Sequence, residues 1–242
     1  MNRTAIITGA SGGIGSAIAK KMAANGYSLA LLGNQSVESL KKTADDCRFY
    51  GNMVTSLSGS LCSGETATSL MTNAINALGH VDCLINCAGI SYIGLITDMS
   101  DDDWKHIIDS NLSSAFYCCR AVVPSMVNRK QGRILNISSV WGNTGASCEA
   151  AYSASKGGMN AFTKALAKEL APSGIAVNAL SCGAIDTAMN QCFSEEEITA
   201  LCEEIPVGRM GTPEEVAQMV ALLCEAPCYL TAQIITMDGG WC

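Results

Sequence analysis

The stretch TAIITGASGGIG, residues 4 to 15, joins an apolar run, a glycine-rich loop and the start of an amphipathic segment. TAIIT reads as a strand, and after the loop Ile14, Ala17, Ile18 and Met22 recur at helical spacing. Glycine is required where the backbone turns sharply or another group must come close. The N-terminus of the following helix adds free N–H groups and the positive end of a dipole. Strand, loop and helix in this register form a cradle for a pyrophosphate, with Gly9, Gly13 and Gly15 as its glycines and Ser11 and Ile14 between them. The spacing is Gly-x-x-x-Gly-x-Gly, which differs from the Gly-x-Gly-x-x-Gly of the general dinucleotide fingerprint.

The same alternation runs to the end of the chain. Strand candidates follow at SLALL (28–32), MVTSL (53–57), VDCLIN (81–86), RILNIS (133–138), AVNAL (176–180) and QIITM (233–237), separated by helix-like segments. Seven strands alternating with helices predict an α/β fold, a doubly wound, mostly parallel sheet with helices on both faces. No linker interrupts residues 1–242, which predicts one domain. SEEEITALCEE (194–204) reads as a surface helix with Ser194 as N-cap and Glu197 as its capping-box partner, placed where a lid would sit.

Composition narrows the function. With 48% hydrophobic and 15% charged residues the chain can build a large core, and its apolar runs are too short for a membrane span. The N-terminus shows no signal-peptide pattern, so the cytoplasm is the expected location. Thirteen cysteines, an odd number without a Cys-x-x-Cys pair, read as reduced thiols, and His80 and His106 stand apart, so no metal site is expected. A net charge of −7 disfavours nucleic acid and anionic lipid and leaves a small-molecule ligand.

About twenty residues beyond the loop, an acid at the end of the second strand would select the free ribose hydroxyl of NAD. The sequence there is LLGNQS, with Gly33 and no acid; Asn34, Gln35 and Ser36 offer neutral hydrogen bonds to a 2′-phosphate. NADP(H) is therefore the expected cofactor, with NAD(H) not excluded.

Further on, YSASK places Tyr152 and Lys156 four apart, on one helical face. Tyrosine is a poor acid near neutrality, its ordinary pKa being about 10, and a neighbouring ammonium stabilises the phenolate. Such a phenol can protonate a carbonyl oxygen as hydride reaches the carbon. A Tyr-x-x-x-Lys pair alone is usually ordinary helix surface; its company changes that. ILNISSV ends with Ser138 and Ser139 at the carboxyl edge of the sheet, where a hydroxyl can bind a developing oxyanion. NCAG (86–89) ends the fourth strand in the same layer. Asn111 begins or interrupts a helix, an unfavourable position for asparagine unless it has a polar task.

TGASGGIG, NCAG, Asn111, Ser139 and YSASK, in this order, resemble the short-chain dehydrogenase/reductase family, and the likeness extends through PVGRMGTPEEVA (206–217) and TAQIITMDGG (231–240). The resemblance implies a Rossmann-like sheet of seven strands, a nicotinamide cofactor and a catalytic tetrad. Tyr152 would be the acid/base. Lys156 would hold the nicotinamide ribose and lower the tyrosine pKa. Ser139 would orient the carbonyl, and Asn111 would fix a water of a proton relay. Cofactor contacts are expected from Gly9, Ser11, Gly13, Ile14, Gly15, Asn34, Ser60, Asn86, Ala88, Gly89, Tyr152, Lys156, Gly183, Ile185 and Thr187. Ser60 stands where relatives often carry an aspartate near the adenine, and Cys182-Gly183 replaces the usual Pro-Gly. The resemblance also implies a homotetramer paired through the helices after Asn111 and Tyr152.

Within the family the chain resembles bacterial 3-oxoacyl-acyl-carrier-protein reductases, which makes a 3-oxoacyl thioester the leading substrate and acyl carrier protein the expected partner. Arg129, Lys130 and Arg133 could dock that acidic carrier. SYIGLITDMSDDDW (91–104) and WGNTGASCEAAYSASK (141–156) resemble a subgroup that reduces a 5-aminopentanone group on elongation factor P; Glu149 or the acids of 194–204 would then attract a cationic substrate. A non-catalytic cofactor-binding scaffold is the alternative of another class. Cys148 and Cys182 are both expected near the rim of the site.

Overall fold

The structure is a computed structural model that describes residues 3–34, 36–190 and 193–242. Gln35 lies outside them. In chain order the elements are β1 (Thr4–Thr8), α1 (Gly13–Ala24), β2 (Ser28–Gly33), α2 (Val37–Arg48), β3 (Val54–Ser58), α3 (Gly64–Leu78), β4 (Cys83–Asn86), α4 (Asp101–Ile108), α5 (Ser114–Arg129), β5 (Gly132–Ser139), α6 (Trp141–Thr144), α7 (Ala150–Leu170), β6 (Ile175–Cys182), α8 (Glu195–Glu204), α9 (Pro213–Glu225) and β7 (Ile234–Met237). A π-helical turn, Asp109–Ser113, joins α4 to α5.

The seven strands form one sheet in the order β3-β2-β1-β4-β5-β6-β7, and every pairing is parallel. β1 and β2 are buried at every residue, as sheet interiors covered on both faces must be. One face packs α1, α2 and α9 through residues such as Ile18, Met22, Leu40 and Val216; the other packs α3, α5 and α7 through Met71, Val122, Met126 and Leu170. Strand order reverses between β1 and β4, and ligands bind outside the carboxyl ends at such a switch point.

The expected strands are present with shifted ends. Val81 and Asp82 fall outside β4, and the Asp82 carboxylate sits in a polar junction at the amino edge of the sheet. Its Oδ2 accepts from Thr4 N at 3.0 Å, and its Oδ1 pairs with Arg129 at 2.8 Å. Arg129 also donates to the Val81 carbonyl, and Arg133 donates to the carbonyl of Ala226 at 3.0 Å. Two of the three basic residues of the expected docking patch are thus engaged within the fold, while Lys130 is exposed. Arg129 and Arg133 serve as structural ties at the start of β5, whereas the site lies at its far end, about 25 Å away for a strand of this length.

Among the described residues no helix is long and apolar enough to cross a membrane, no acidic, cysteine or histidine cluster could hold a metal ion, and the cysteines are free. α8 opens with the expected capping box, Ser194 accepting from the Glu197 N–H and Glu197 accepting from Ser194 N at 2.8 Å.

Candidate active site

A cavity of about 960 Å³ opens at the carboxyl edge of the sheet. Its floor is the loop between β1 and α1. Gly9 has φ +67°, and a Cβ there would lie 2.9 Å from the Ala88 backbone; a Cβ on Gly15 would lie 2.2 Å from the Gly9 carbonyl oxygen. Only glycine allows this loop to close against the start of α1 and the segment after β4. The N-cap of α1, Gly12, makes no side-chain capping bond, so the first-turn N–H groups face the cavity without a competing side chain. The cradle and the cavity size therefore fit a dinucleotide.

Of the residues expected at the cofactor, Gly9, Ser11, Gly13, Ile14, Gly15, Asn34, Ala88, Gly89, Gly183, Ile185 and Thr187 line this cavity. Two do not. Asn86 turns inward, donating through Nδ2 to Asn136 Oδ1 at 2.8 Å, while Asn136 donates to Thr163 at 2.8 Å; the amide ties β4 to β5 and α7. Ser60 accepts from Cys62 N at 3.2 Å, and the wall there is Gly59, Leu61 and Cys62. Ser36 is the N-cap of α2, its hydroxyl accepting from Ser39 N.

Ser139, Tyr152 and Lys156 line the same cavity. Lys156 is buried, donates from Nζ to the Ile137 carbonyl at 2.9 Å and lies 5.6 Å from the Tyr152 ring centroid. Gly89 permits this closeness: a Cβ there would meet Asn111 Oδ1 at 3.2 Å and Lys156 Nζ at 3.4 Å. Asn111, fully buried in the π-helical turn, brackets Ile90 by accepting from its N–H at 2.8 Å and donating to its carbonyl at 2.9 Å. Its second donor goes to Ser155 Oγ at 3.0 Å, so both amide donors are used. Asn111 thus positions the Ile90 segment and the first turns of α7.

The electrostatics depart from expectation. Burial pushes the Tyr152 phenol well above its ordinary pKa, opposed by the hydrogen bond with Ser139; the Glu149 carboxylate adds to the rise. Lys156, expected to lower that pKa, is itself pushed down by burial. Desolvation is the leading cause of both shifts. Cys87 and Cys182 also line the cavity, and burial pushes both thiols up to about 12, away from the thiolate form. Cys148 lies off the wall, while its neighbours Ser147 and Glu149 lie on it.

Some lining residues were not anticipated. Trp241, one residue from the C-terminus, packs edge-on against Trp141 with centroids 4.8 Å apart, and both line the cavity. Met189, Phe193, Leu201 and Glu204 come from the segment between β6 and α9, the region read as a lid. A glycine-glycine-tryptophan ending is the only sequence signal that could have indicated Trp241.

Comparison with known proteins agrees with this architecture. The family model for short chain dehydrogenases matches residues 3–198. An uncharacterized oxidoreductase, YmfI of Bacillus subtilis (strain 168), is 40% identical over 243 aligned positions, covering 100% of this chain and 99% of that protein. The 3-oxoacyl-[acyl-carrier-protein] reductase FabG of Aquifex aeolicus (strain VF5) is 38% identical, covering 98% of this chain and 96% of that one. A solved structure of a variant actinorhodin polyketide ketoreductase with NADPH has a TM-score of 0.93 and 32% identity, covering 99% of this chain and 97% of the other. With its sheet order, its glycine cradle and full-length relatives in agreement, the chain belongs to the short-chain dehydrogenase family of oxidoreductases.

Proposed function

We propose that the protein reduces a ketone to a secondary alcohol with NADP(H), and that Tyr152 is the proton donor. The observation that carries this reading is that Ser139, Tyr152 and Lys156 line the same cavity as the loop between β1 and α1, with Lys156 Nζ 5.6 Å from the Tyr152 ring centroid. The bound nicotinamide supplies the hydride. Ser139 and Tyr152 bind the carbonyl oxygen and hold it where negative charge develops. Tyr152 then gives up its proton to that oxygen; a donor must start protonated, and burial keeps it so. Lys156 faces the resulting phenolate as its cation and is in place for the nicotinamide ribose. Asn111 acts through the segments it holds, and a proton relay past it runs through groups other than its two amide donors.

NADP(H) rests on Asn34 at the cavity wall without an acid beside it, and on the NADPH of the polyketide ketoreductase. The homotetramer remains the family's expectation for the faces of α5 and α7.

For the substrate, relatives named 3-oxoacyl-acyl-carrier-protein reductases support a 3-oxoacyl thioester. A second reading, a 5-aminopentanone group on elongation factor P, is favoured by charge. Glu149 and Glu204 line the cavity, and the arginines that would have met an acidic carrier lie at the other edge of the sheet. Following NADPH oxidation with acetoacetyl thioester and with an aminoketone tests both. Turnover of the aminoketone alone supports the second reading, turnover of the thioester alone supports the first, and turnover of neither leaves a scaffold.

A further inference from the structure

Ser139 and the Tyr152–Lys156 pair sit on different elements, the end of β5 and the first turns of α7, so a third element must fix the distance between them. The connection runs through α6, a single turn of four residues that is too short to hold its shape alone. Its backbone is therefore set by what it touches. Val140 N donates to the Cys182 carbonyl at 2.9 Å, and Trp141 N donates to the Ser139 hydroxyl oxygen at 3.2 Å. A hydroxyl that accepts there keeps its own proton free to be donated into the cavity. On its other side α6 rests on α7 backbone to backbone: a Cβ on Gly142 would lie 2.7 Å from the Lys156 carbonyl carbon and 2.9 Å from its oxygen.

One side chain ties these contacts together. Asn143 donates through Nδ2 to Ser181 Oγ at 3.1 Å and accepts through Oδ1 from Asn160 Nδ2 at 2.8 Å. Ser181 is buried in β6, in register with Ser138 and next to the Cys182 that receives Val140 N. Asn160 is buried on α7 about one turn after Lys156, and its Oδ1 has no hydrogen-bond partner among the described residues. Burying such an amide costs stability, so packing alone does not account for it. Asn143 itself is exposed and is not among the residues lining the cavity, whereas Val140 and Trp141 are.

We propose that Asn143, with Asn160 as its partner, is a positioning residue of the reduction. It holds α6 against β6 and α7, and through the Trp141 N–H it keeps the Ser139 hydroxyl aimed at the oxygen that Tyr152 protonates. This rests on the ketoreductase reading and adds to it a residue outside the cavity that holds substrate and nucleotide. Releasing α6 lets Ser139 drift from the phenol, and two donors that must meet one oxygen lose their common geometry. The loss falls on the chemical step and leaves nucleotide binding as it was.

The test measures kcat, the NADPH Kd and the isotope effect of NADPH deuterated at C4, with whichever of acetoacetyl thioester and the aminoketone the wild type reduces. Asn143→Ala should lower kcat about ten- to a hundredfold, with an isotope effect no smaller than that of wild type and an NADPH Kd within about twofold of it. Asn143→Asp accepts from Asn160 and from a turned Ser181 hydroxyl, so it should restore most of the rate. In a Ser139→Ala background, Asn143→Ala should lower the residual rate less than about twofold, because the hydroxyl it positions is gone. An equal loss in both backgrounds, or a kcat unchanged by Asn143→Ala, overturns the proposal. Asn160→Ala opens the clamp from its other end and should reproduce the loss of kcat, which keeps the test decisive where Asn143→Ala does not fold. A crystal structure of either alanine variant gives a readout free of turnover: the contact between Trp141 N and Ser139 Oγ should open while Lys156 keeps its bond to the Ile137 carbonyl. An open contact in a protein that reduces no ketone would keep the clamp and remove the ketoreductase reading. An intact contact with reduction at the wild-type rate would keep the activity and remove the clamp.

Discussion

Asn111 donates to the Ser155 hydroxyl at 3.0 Å, and Ser155 in turn donates to the Tyr152 carbonyl at 2.7 Å, so the π-helical turn is coupled to the turn of α7 that carries the phenol. Asn111→Ala leaves the N–H and carbonyl of Ile90 and the Ser155 hydroxyl short of partners in a buried place. The expected cost is about 2 kcal/mol in denaturant unfolding, with a fall in kcat. Ser155→Ala breaks only part of the network and should cost about 1 kcal/mol. Equal stability of Asn111→Ala and wild type would contradict this positioning role.

Asn34 is exposed at the cavity wall and is the side chain best placed to choose between nucleotides. Asn34→Arg adds a charge-assisted partner for a 2′-phosphate and should tighten NADPH about tenfold relative to NADH. Asn34→Asp should reverse the order by repelling that phosphate and accepting from the free ribose hydroxyl. Fluorescence titration with each nucleotide measures both, and a preference indifferent to either change would place selection elsewhere.

Asp82 links stability to pH. Burial works to raise its pKa, but the Arg129 bond, the Thr4 N–H and the charges of His80 and Arg129 hold it below the ordinary carboxylate value. A depressed folded pKa stabilises the native state above the ordinary value of about 3.9, and the stabilisation fades as pH falls through the lower folded value. Asp82→Asn should therefore be less stable than wild type by about 2 kcal/mol at neutral pH. The difference should begin to shrink below about pH 4 and close once pH has passed the lower folded value. A difference that stays constant into acid would show that the charge of Asp82 contributes nothing.

Much of this was legible in the sequence, for physical reasons that differ by element. Buried parallel strands must be apolar along their length, so TAIIT and SLALL announced themselves; the capping box of Ser194 and Glu197 is local, and the chemistry of three residues fixes it. YSASK and the glycine loop were legible because helical spacing and backbone crowding act over a few residues. What was misread depends on partners far along the chain. Arg129 finds Asp82 47 residues away and Arg133 finds the Ala226 carbonyl 93 away, so two of three basic residues that looked free are tied into the fold. The amide of Asn86, read as a cofactor contact, is bound to Asn136, 50 residues on. For Tyr152 and Lys156 burial is the leading cause of the pKa shifts, upward for the phenol and downward for the ammonium, and sequence spacing carries no burial.

The most direct test of the central claim is the NADPH-dependent reduction of a ketone by wild type and by Tyr152→Phe at saturating nucleotide. Phenylalanine keeps the ring and removes the proton donor, so kcat should fall about 10²- to 10⁴-fold while the fold, checked by unfolding, is retained. Equal rates for the two proteins would contradict the assignment of Tyr152 as the acid.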